Sequence, residues 1–134
     1  MKRGDVLFWP LFPFEDGRSE HKLSPSNKLL VVIGGDSDDC WLMFRTTSVA
    51  RDDRPDLDGC HADQSVYRFN LNRNKFEKPC WVQYELPIIK ERREITNARC
   101  RVVFSLTSEE VRAVINCYKR SPELTNWIWG YCED

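Results

Sequence analysis

The fold is decided by two short apolar runs near the start of the chain, residues 4–10 (GDVLFWP) and residues 28–35 (KLLVVIGG). Both runs are rich in Val, Ile, Leu or aromatic residues and are bounded by Gly, Pro, Asp or Ser, which is typical of β-strands. A helix would need a longer run with a period of 3.6 residues. The connection between the two runs is long and polar, and long connections in compact domains are often functional. We therefore expect a functional site near this connection.

Four further segments predict strands, at residues 40–48, 65–69, 81–86 and 98–104. The stretch at about 49–64 is rich in Asp, and we expect it to form a mobile acidic loop, because it has too little apolar surface to fold alone. We expect the strand at 65–69 to lie at the edge of the sheet.

Two helices are predicted after the last strand. Residues 107–110 (TSEE) form a capping-box motif, and the residues after it repeat at the spacing of a one-sided helix. A short helical extension is expected at about 121–131, with Ser121 as N-cap, Pro122 at the first helical position and Gly130 as C-terminal stop. The apolar stripe of the first helix consists of Val111, Val114, Ile115 and Tyr118.

The fold class predicted from this pattern is mostly β, a small barrel or strongly bent sheet of five to six strands with peripheral α-helices. The chain has 134 residues, of which 41% are hydrophobic and 31% charged, so we expect one globular domain over residues 1–134. It shows no apolar run of membrane-spanning length and no signal peptide, so we expect a cytoplasmic protein with no membrane partner.

Charge and cysteine content limit the nucleic-acid contacts, metal sites and disulfides that we expect. The formal net charge is −1, so any contact with nucleic acid requires a local basic face. No CxxC pair is present, and we expect no metal site. Without an export signal, we expect reduced thiols at all six cysteines, which are Cys40, Cys60, Cys80, Cys100, Cys117 and Cys132.

The opening of the chain resembles that of the PemK/MazF-like toxins of bacterial toxin–antitoxin pairs. Residues 3–6 (RGDV), Gly17, residues 19–20 (SE) and the run at 30–33 match that family in order and spacing. The family has an Arg-Pro pair at the start of the second strand, whereas this chain has Lys28 and Leu29 there. The family also ends its third strand in Thr, often Thr-Ser, which is similar to Thr47 and Ser48 here.

The resemblance implies an SH3-like barrel, usually a homodimer, that cleaves single-stranded RNA without a metal or another cofactor and is held by a cognate antitoxin protein. The ribose 2′-hydroxyl would attack the adjacent phosphorus, and cationic and hydroxyl groups would assist that step. Lys28 and Thr47 occupy the positions of the family's catalytic Arg and Thr. The residues expected to contact RNA are Arg18, His21, Lys22, Ser48, Arg92 and Arg93.

Three hypotheses follow from the Lys-Leu pair. The first hypothesis is an active endoribonuclease in which Lys replaces Arg. The second is a catalytically inactive barrel that binds RNA or a protein. The third hypothesis is an unrelated interaction module, for instance one of phage origin, whose acidic loop binds a basic surface.

Overall fold

The chain folds into seven antiparallel strands in one sheet, as described by a computed structural model for residues 1–12, 26–52, 54–72 and 75–132. Within these residues the strand order is β4-β5-β6-β3-β2-β1-β7. This architecture confirms the predicted fold class, a mostly β small barrel with peripheral helices. The strands are β1 (Asp5–Phe12), β2 (Ser26–Gly35), β3 (Cys40–Thr47), β4 (Gly59–His61), β5 (Val66–Arg68), β6 (Trp81–Glu91) and β7 (Arg101–Ser105).

In the described part of the chain, three α-helices accompany the sheet, α1 (Arg92–Asn97), α2 (Ser108–Arg120) and α3 (Asn126–Cys132). The larger hydrophobic cluster joins inward residues of the strands, such as Phe44 and Tyr84, to α2 and α3. A second cluster joins the strands to Ile95 of α1. Because successive residues of a strand point to opposite faces, β2 supplies apolar side chains to both clusters. This double burial explains why β2 is a continuous apolar run in the sequence.

Irregular pairings bend the sheet. The register between β3 and β6 shifts between Met43 and Arg45, and Leu86 of β6 has a positive φ of 54°. A second shift interrupts the pairing of β1 with β2, where Leu11 has φ 52°. Bulges of this kind increase local twist and turn a flat sheet into a curved one.

The turn between β2 and β3 fixes the register of the two central strands. One carboxylate oxygen of Asp36 accepts hydrogen bonds from the backbone N–H groups of Asp38 and Cys40, each at 2.9 Å. Its other oxygen accepts from the Tyr131 hydroxyl at 2.7 Å, and this bond is the main reason that the pKa of Asp36 is lowered. This acidic turn is therefore also a contact for α3.

The Thr107 half of the predicted capping box is present at the start of α2. Thr107 is the N-cap, and its hydroxyl oxygen accepts from the backbone N–H of Glu110 at 3.2 Å. The predicted apolar stripe of α2 is buried. The Glu110 carboxylate also accepts from the Tyr67 hydroxyl at 3.1 Å, so the same residue ties α2 to β5.

The C-terminal helix differs from its predicted bounds. Ser121 is the C-cap of α2 rather than an N-cap, because its hydroxyl donates to the Tyr118 carbonyl at 2.8 Å and its own backbone is extended. Pro122 lies in the turn that follows, and α3 begins only at Asn126. Gly130 lies inside α3 and does not end it.

Three elements, β4, a 3₁₀ turn and α1, were not predicted from the sequence, and the strand count of five to six was one too low. The expected loop at 49–64 contains β4 and a 3₁₀ turn, Ala62–Gln64, in its last six residues. Because β4 pairs with β5, the predicted edge strand is internal and β4 is the edge. The mixed-charge stretch after β6 forms α1, whose first turn is closed by the Glu94 carboxylate accepting from the Glu91 N–H at 3.4 Å.

The expectation of six reduced thiols is wrong for one pair of cysteines. Cys60 of β4 and Cys117 of α2 form a disulfide that spans 57 positions of sequence. The bond holds the edge strand against the helix. The other four cysteines are not part of a disulfide.

Gly34 and Gly130 make a matched pair for testing how α3 is held. A Cβ on Gly34 would collide with the Tyr131 carbonyl oxygen, whereas a Cβ on Gly130 meets nothing within 4 Å. We expect Gly34→Ala to destabilise the protein by about 1 to 3 kcal/mol through this clash. Gly130→Ala, inside a helix, should stabilise it by up to about 1 kcal/mol. Urea unfolding of both variants measures the two signs, and equal effects would contradict the packing of α3 on β2.

Candidate active site

A cleft of about 710 Å³ lies where β2 begins and β3 ends, and both Lys28 and Thr47 line it. The register of β2 with β3 explains why both residues line the same cleft. Leu30 pairs with Arg45 in the β2–β3 ladder, so continuing that register by two residues places Lys28 opposite Thr47. Residues directly opposite each other on antiparallel strands point to the same face of the sheet, with Cβ atoms about 5 Å apart.

Hydrogen bonds hold the hydroxyl groups at this end of β3. The Thr46 hydroxyl donates to the Leu29 carbonyl at 2.7 Å, which ties β3 to β2 beside the candidate pair. The Thr47 hydroxyl oxygen accepts from the backbone N–H of Val49 at 3.2 Å. Its hydrogen can still serve as a donor, because a hydroxyl accepts and donates at once. Ser48, a predicted RNA contact, lines the same cleft.

The cleft is basic although the chain as a whole is weakly acidic. Among the described residues that line it, four are cations and one, Glu77, is an anion. Two of these cations, Lys75 and Lys78, were not among the candidate residues for nucleic-acid contact, because they come from the segment before β6, far from Lys28 in sequence. The four cations are Lys28, Lys75, Lys78 and Arg101.

Aromatic rings and a guanidinium form one wall of the cleft. Arg101 of β7 pairs with Phe8 of β1, and its guanidinium carbon lies 4.7 Å from the centre of the Phe8 ring. Phe76 and Phe104 also line the cleft and pack edge to face, with ring centres 4.9 Å apart. A flat cation on an aromatic ring beside further cations is the combination that single-stranded nucleic-acid sites use to stack bases and bind phosphates.

Cys80 lines the cleft but is a poor nucleophile at neutral pH. Burial raises the pKa of its thiol to about 11, against the opposing effects of a hydrogen bond with Thr46 and the positive charge of Lys28. The thiolate, rather than the thiol, is the reactive form of cysteine. The chemistry of the cleft therefore falls to Lys28 and the hydroxyl groups.

The raised pKa of Cys80 predicts a loss of stability at alkaline pH. The pKa in the folded state is about 11, against 9.0 for an ordinary cysteine thiol. The neutral thiol therefore stabilises the fold fully below pH 9, and this contribution is lost as pH rises through about 11. A difference of two pKa units corresponds to a loss of about 2 to 3 kcal/mol in the free energy of unfolding. Urea unfolding from pH 8 to pH 11 should show a shallower decline for Cys80→Ala than for the wild type, and parallel declines would contradict the prediction.

Of the other predicted RNA contacts, the described ones, Arg92 and Arg93, do not line this cleft. Arg18, His21 and Lys22 lie outside the described residues. Arg92 forms an ion pair with Asp39 at 2.9 Å, just before β3, and Arg93 lies 3.4 Å from Glu91. At about 3.3 Å per residue, the length of β3 separates that end of the sheet from Thr47 by about 23 Å. Whether Arg92 and Arg93 contact RNA stays a prediction.

Three further observations concern membrane spans, metal ligands and similarity to known proteins. None of the helices in the described residues is long and apolar enough to cross a membrane. Within the same residues, no three His, Cys, Asp or Glu side chains are grouped as metal ligands would be. In comparisons with known proteins, no family model and no curated protein matches the chain. The likeness to PemK/MazF-like toxins therefore depends on the residues quoted above.

Proposed function

We propose that the protein is an endoribonuclease that cleaves single-stranded RNA in the cleft of Lys28 and Thr47. The observation that carries the proposal is that Lys28 and Thr47 both line one basic cleft. Both were selected from a family resemblance in which the Thr lies beside the Arg, and their presence in one cleft agrees with what that resemblance implies. The arrangement of cations and aromatic rings around them supports RNA as the substrate.

The reaction proposed is an internal transfer at phosphorus. The 2′-oxygen of the ribose forms a bond to the adjacent phosphorus as its proton passes to a water molecule, and the bond to the 5′-oxygen breaks as that oxygen takes up a proton from water. The products are a 2′,3′-cyclic phosphate and a free 5′-hydroxyl. Lys28 would stabilise the charge on the phosphoryl oxygens, and Thr47 would donate a hydrogen bond to one of them. Arg101, Lys75 and Lys78 would bind the phosphates on either side.

The remaining parts of the proposal come from the family resemblance. They are the metal independence of the reaction, a role as the toxin of a toxin–antitoxin pair in the cytoplasm, a cognate antitoxin as partner and a homodimeric state. Lys28 replaces an Arg in this setting. A lysine gives a single point charge where arginine gives a planar fork that binds two phosphate oxygens, so a slower reaction is expected than with Arg.

The test is incubation of a purified sample with a labelled single-stranded RNA in the presence of EDTA. Cleavage with cyclic-phosphate ends that resist the chelator supports the proposal. Salt-sensitive binding without cleavage would favour the inactive RNA-binding barrel instead. Absence of both binding and cleavage would leave only the interaction module.

A further inference from the structure

A segment of the chain leads from the candidate cleft to the edge of the sheet and is held at several points. It begins at Val49, which lines the cleft together with Thr47, and it ends at Asp58, just before β4. We call its described residues, 49–52 and 54–58, the strap. These residues form no helix or strand, so the position of the strap depends on the side chains that hold it.

Arg68 of β5 holds the far end of the strap. One nitrogen of its guanidinium lies 2.7 Å from the Asp58 carboxylate, and another lies 3.1 Å from the Asp56 carboxylate. The planar guanidinium presents several donors in a fixed arrangement, so a single side chain fixes two residues of the strap. Because the Asp56 side chain is 91% exposed, these ion pairs should add little to the free energy of unfolding. We therefore expect Arg68 to matter more for the position of the strap than for stability.

The middle of the strap covers Trp81 of β6. The Trp81 indole N–H donates to the Pro55 carbonyl at 2.9 Å, and the side chain is buried. The guanidinium carbon of Arg68 lies 5.6 Å from the centre of the Trp81 ring, so the cation packs on this residue as well. In the two ladders of β6, Trp81 pairs with Arg68 on one side and with Thr47 on the other. Residues paired in this way lie on one face of the sheet.

The near end of the strap contacts the Thr47 hydroxyl. The Arg54 guanidinium donates to the Val49 carbonyl at 2.6 Å, which holds the first residues of the strap together. The Val49 backbone N–H in turn donates to the Thr47 hydroxyl oxygen at 3.2 Å. A series of contacts therefore connects Arg68, through the strap, to the hydroxyl that is proposed to bind a phosphoryl oxygen.

We infer that Arg68 is a positioning residue for the proposed cleavage of RNA. It fixes the strap over Trp81, and the strap fixes the Thr47 hydroxyl in the orientation that donates to the phosphoryl oxygen. Arg68 is not among the described residues that line the cleft, so it acts through Thr47 and not on the RNA itself. Loss of such positioning lowers the rate of the chemical step more than the affinity for the substrate. This inference rests on the proposed function, because Thr47 is a group of the proposed reaction.

The experiment measures single-turnover cleavage of a labelled RNA by Arg68→Ala over a range of protein concentrations. We expect the maximal rate to fall at least about tenfold, while the half-saturating protein concentration changes by less than about twofold. In the Thr47→Ala background, Arg68→Ala should lower the rate by less than about twofold, because residues that act through one group are not additive. The double variant Asp56→Ala, Asp58→Ala removes only the two exposed partners of Arg68 and should lose as much activity as Arg68→Ala.

A second measurement does not depend on cleavage. Hydrogen exchange of the Trp81 indole N–H, followed by nuclear magnetic resonance, reports whether the strap still covers this residue. The exchange rate should rise at least about tenfold in Arg68→Ala and in the double variant of the two aspartates. Arg112→Ala removes an exposed arginine of α2 outside the cleft, so as the matched control it should change neither exchange nor cleavage. Circular dichroism melts confirm that each variant is folded.

Four outcomes would overturn the inference. They are an unchanged cleavage rate in Arg68→Ala beside an active wild type, an equal loss with and without Thr47, a loss of RNA affinity alone, and unchanged exchange of the Trp81 indole N–H. The first three leave the proposed function in place and reject only the positioning role. If the wild type cleaves no RNA, the proposed function is wrong and the positioning role fails with it, whereas faster exchange in Arg68→Ala would still show that Arg68 holds the strap.

Discussion

Lys28→Ala is expected to lower the rate of RNA cleavage by about 100-fold to 1000-fold, the usual cost of removing one group that stabilises developing charge in a transition state. Thr47→Ala should lower it by a similar factor, because the hydroxyl is the neighbouring donor in the same cleft. Lys28→Arg should retain or raise activity, since its guanidinium restores bidentate contact with phosphate. Single-turnover cleavage of a labelled RNA in EDTA measures all three rates.

The control for these variants is Lys90→Ala, which removes a lysine that pairs with Glu94 at 3.7 Å outside the cleft. Its rate should equal that of the wild type. Thr47→Ser tests whether the hydroxyl itself matters, and it should keep most of the activity that Thr47→Ala loses. Unchanged cleavage by both Lys28→Ala and Thr47→Ala would reject the cleft as the active site.

Loss of the disulfide should have the largest effect on stability. Cys60 and Cys117 are 57 positions apart, and closing a loop of that length restricts the unfolded chain. The chain-entropy relation gives about 4 kcal/mol of stabilisation for such a loop. We expect the double variant Cys60→Ser, Cys117→Ser to unfold at a lower urea concentration, with a free energy of unfolding about 4 kcal/mol below that of the wild type. Adding reductant to the wild type should lower its free energy of unfolding to that of the variant.

Cys40→Ser is the matched control for this experiment, because Cys40 is a free thiol at the start of β3. It should change the free energy of unfolding by less than about 0.5 kcal/mol. Mass spectrometry under non-reducing conditions identifies the linked peptides directly. An oxidised sample without the Cys60–Cys117 link would refute both the pairing and the predicted loss.

The elements that the sequence predicted well are those whose signal is local. The capping motif and the apolar repeat of α2 together span only twelve residues, 107–118. The structure places the helix from Ser108 to Arg120. The apolar runs of β1, β2 and β3 are likewise visible without knowledge of their partners. Their bounds changed by a few residues because strand ends depend on pairing.

The missed elements depend on distant contacts. β4 has three residues in an acidic segment, too few to show alternation, and it forms because β5 pairs with it and Cys117 binds its cysteine. α1 has six residues of mixed charge, which is too short for a helical period to be read. One sequence cannot pair six cysteines, since 15 arrangements are possible.

The candidate site was predictable only in part. Lys28, Thr47 and Ser48 followed from the resemblance, and the β2–β3 register brings the first two together. Lys75, Lys78 and Arg101 could not be placed beside them, because they approach from segments that the fold brings near. The only local sequence feature that could have indicated a basic surface is the pair Lys75 and Lys78 on either side of Phe76. This feature does not specify which surface of the fold the two lysines face.

The Asp36 turn has a consequence for variation in length. The pairing of β2 with β3 starts at this tip and shifts once between Val32 and Gly34, so one inserted or deleted residue in the tip that this irregularity does not absorb would slide every later partner by a step and flip one strand's side chains to the other face. Lys28 would then no longer face Thr47, although the altered position lies at the far end of the ladder. Homologous chains that keep the chemistry should therefore tolerate substitutions in this tip but conserve its number of residues.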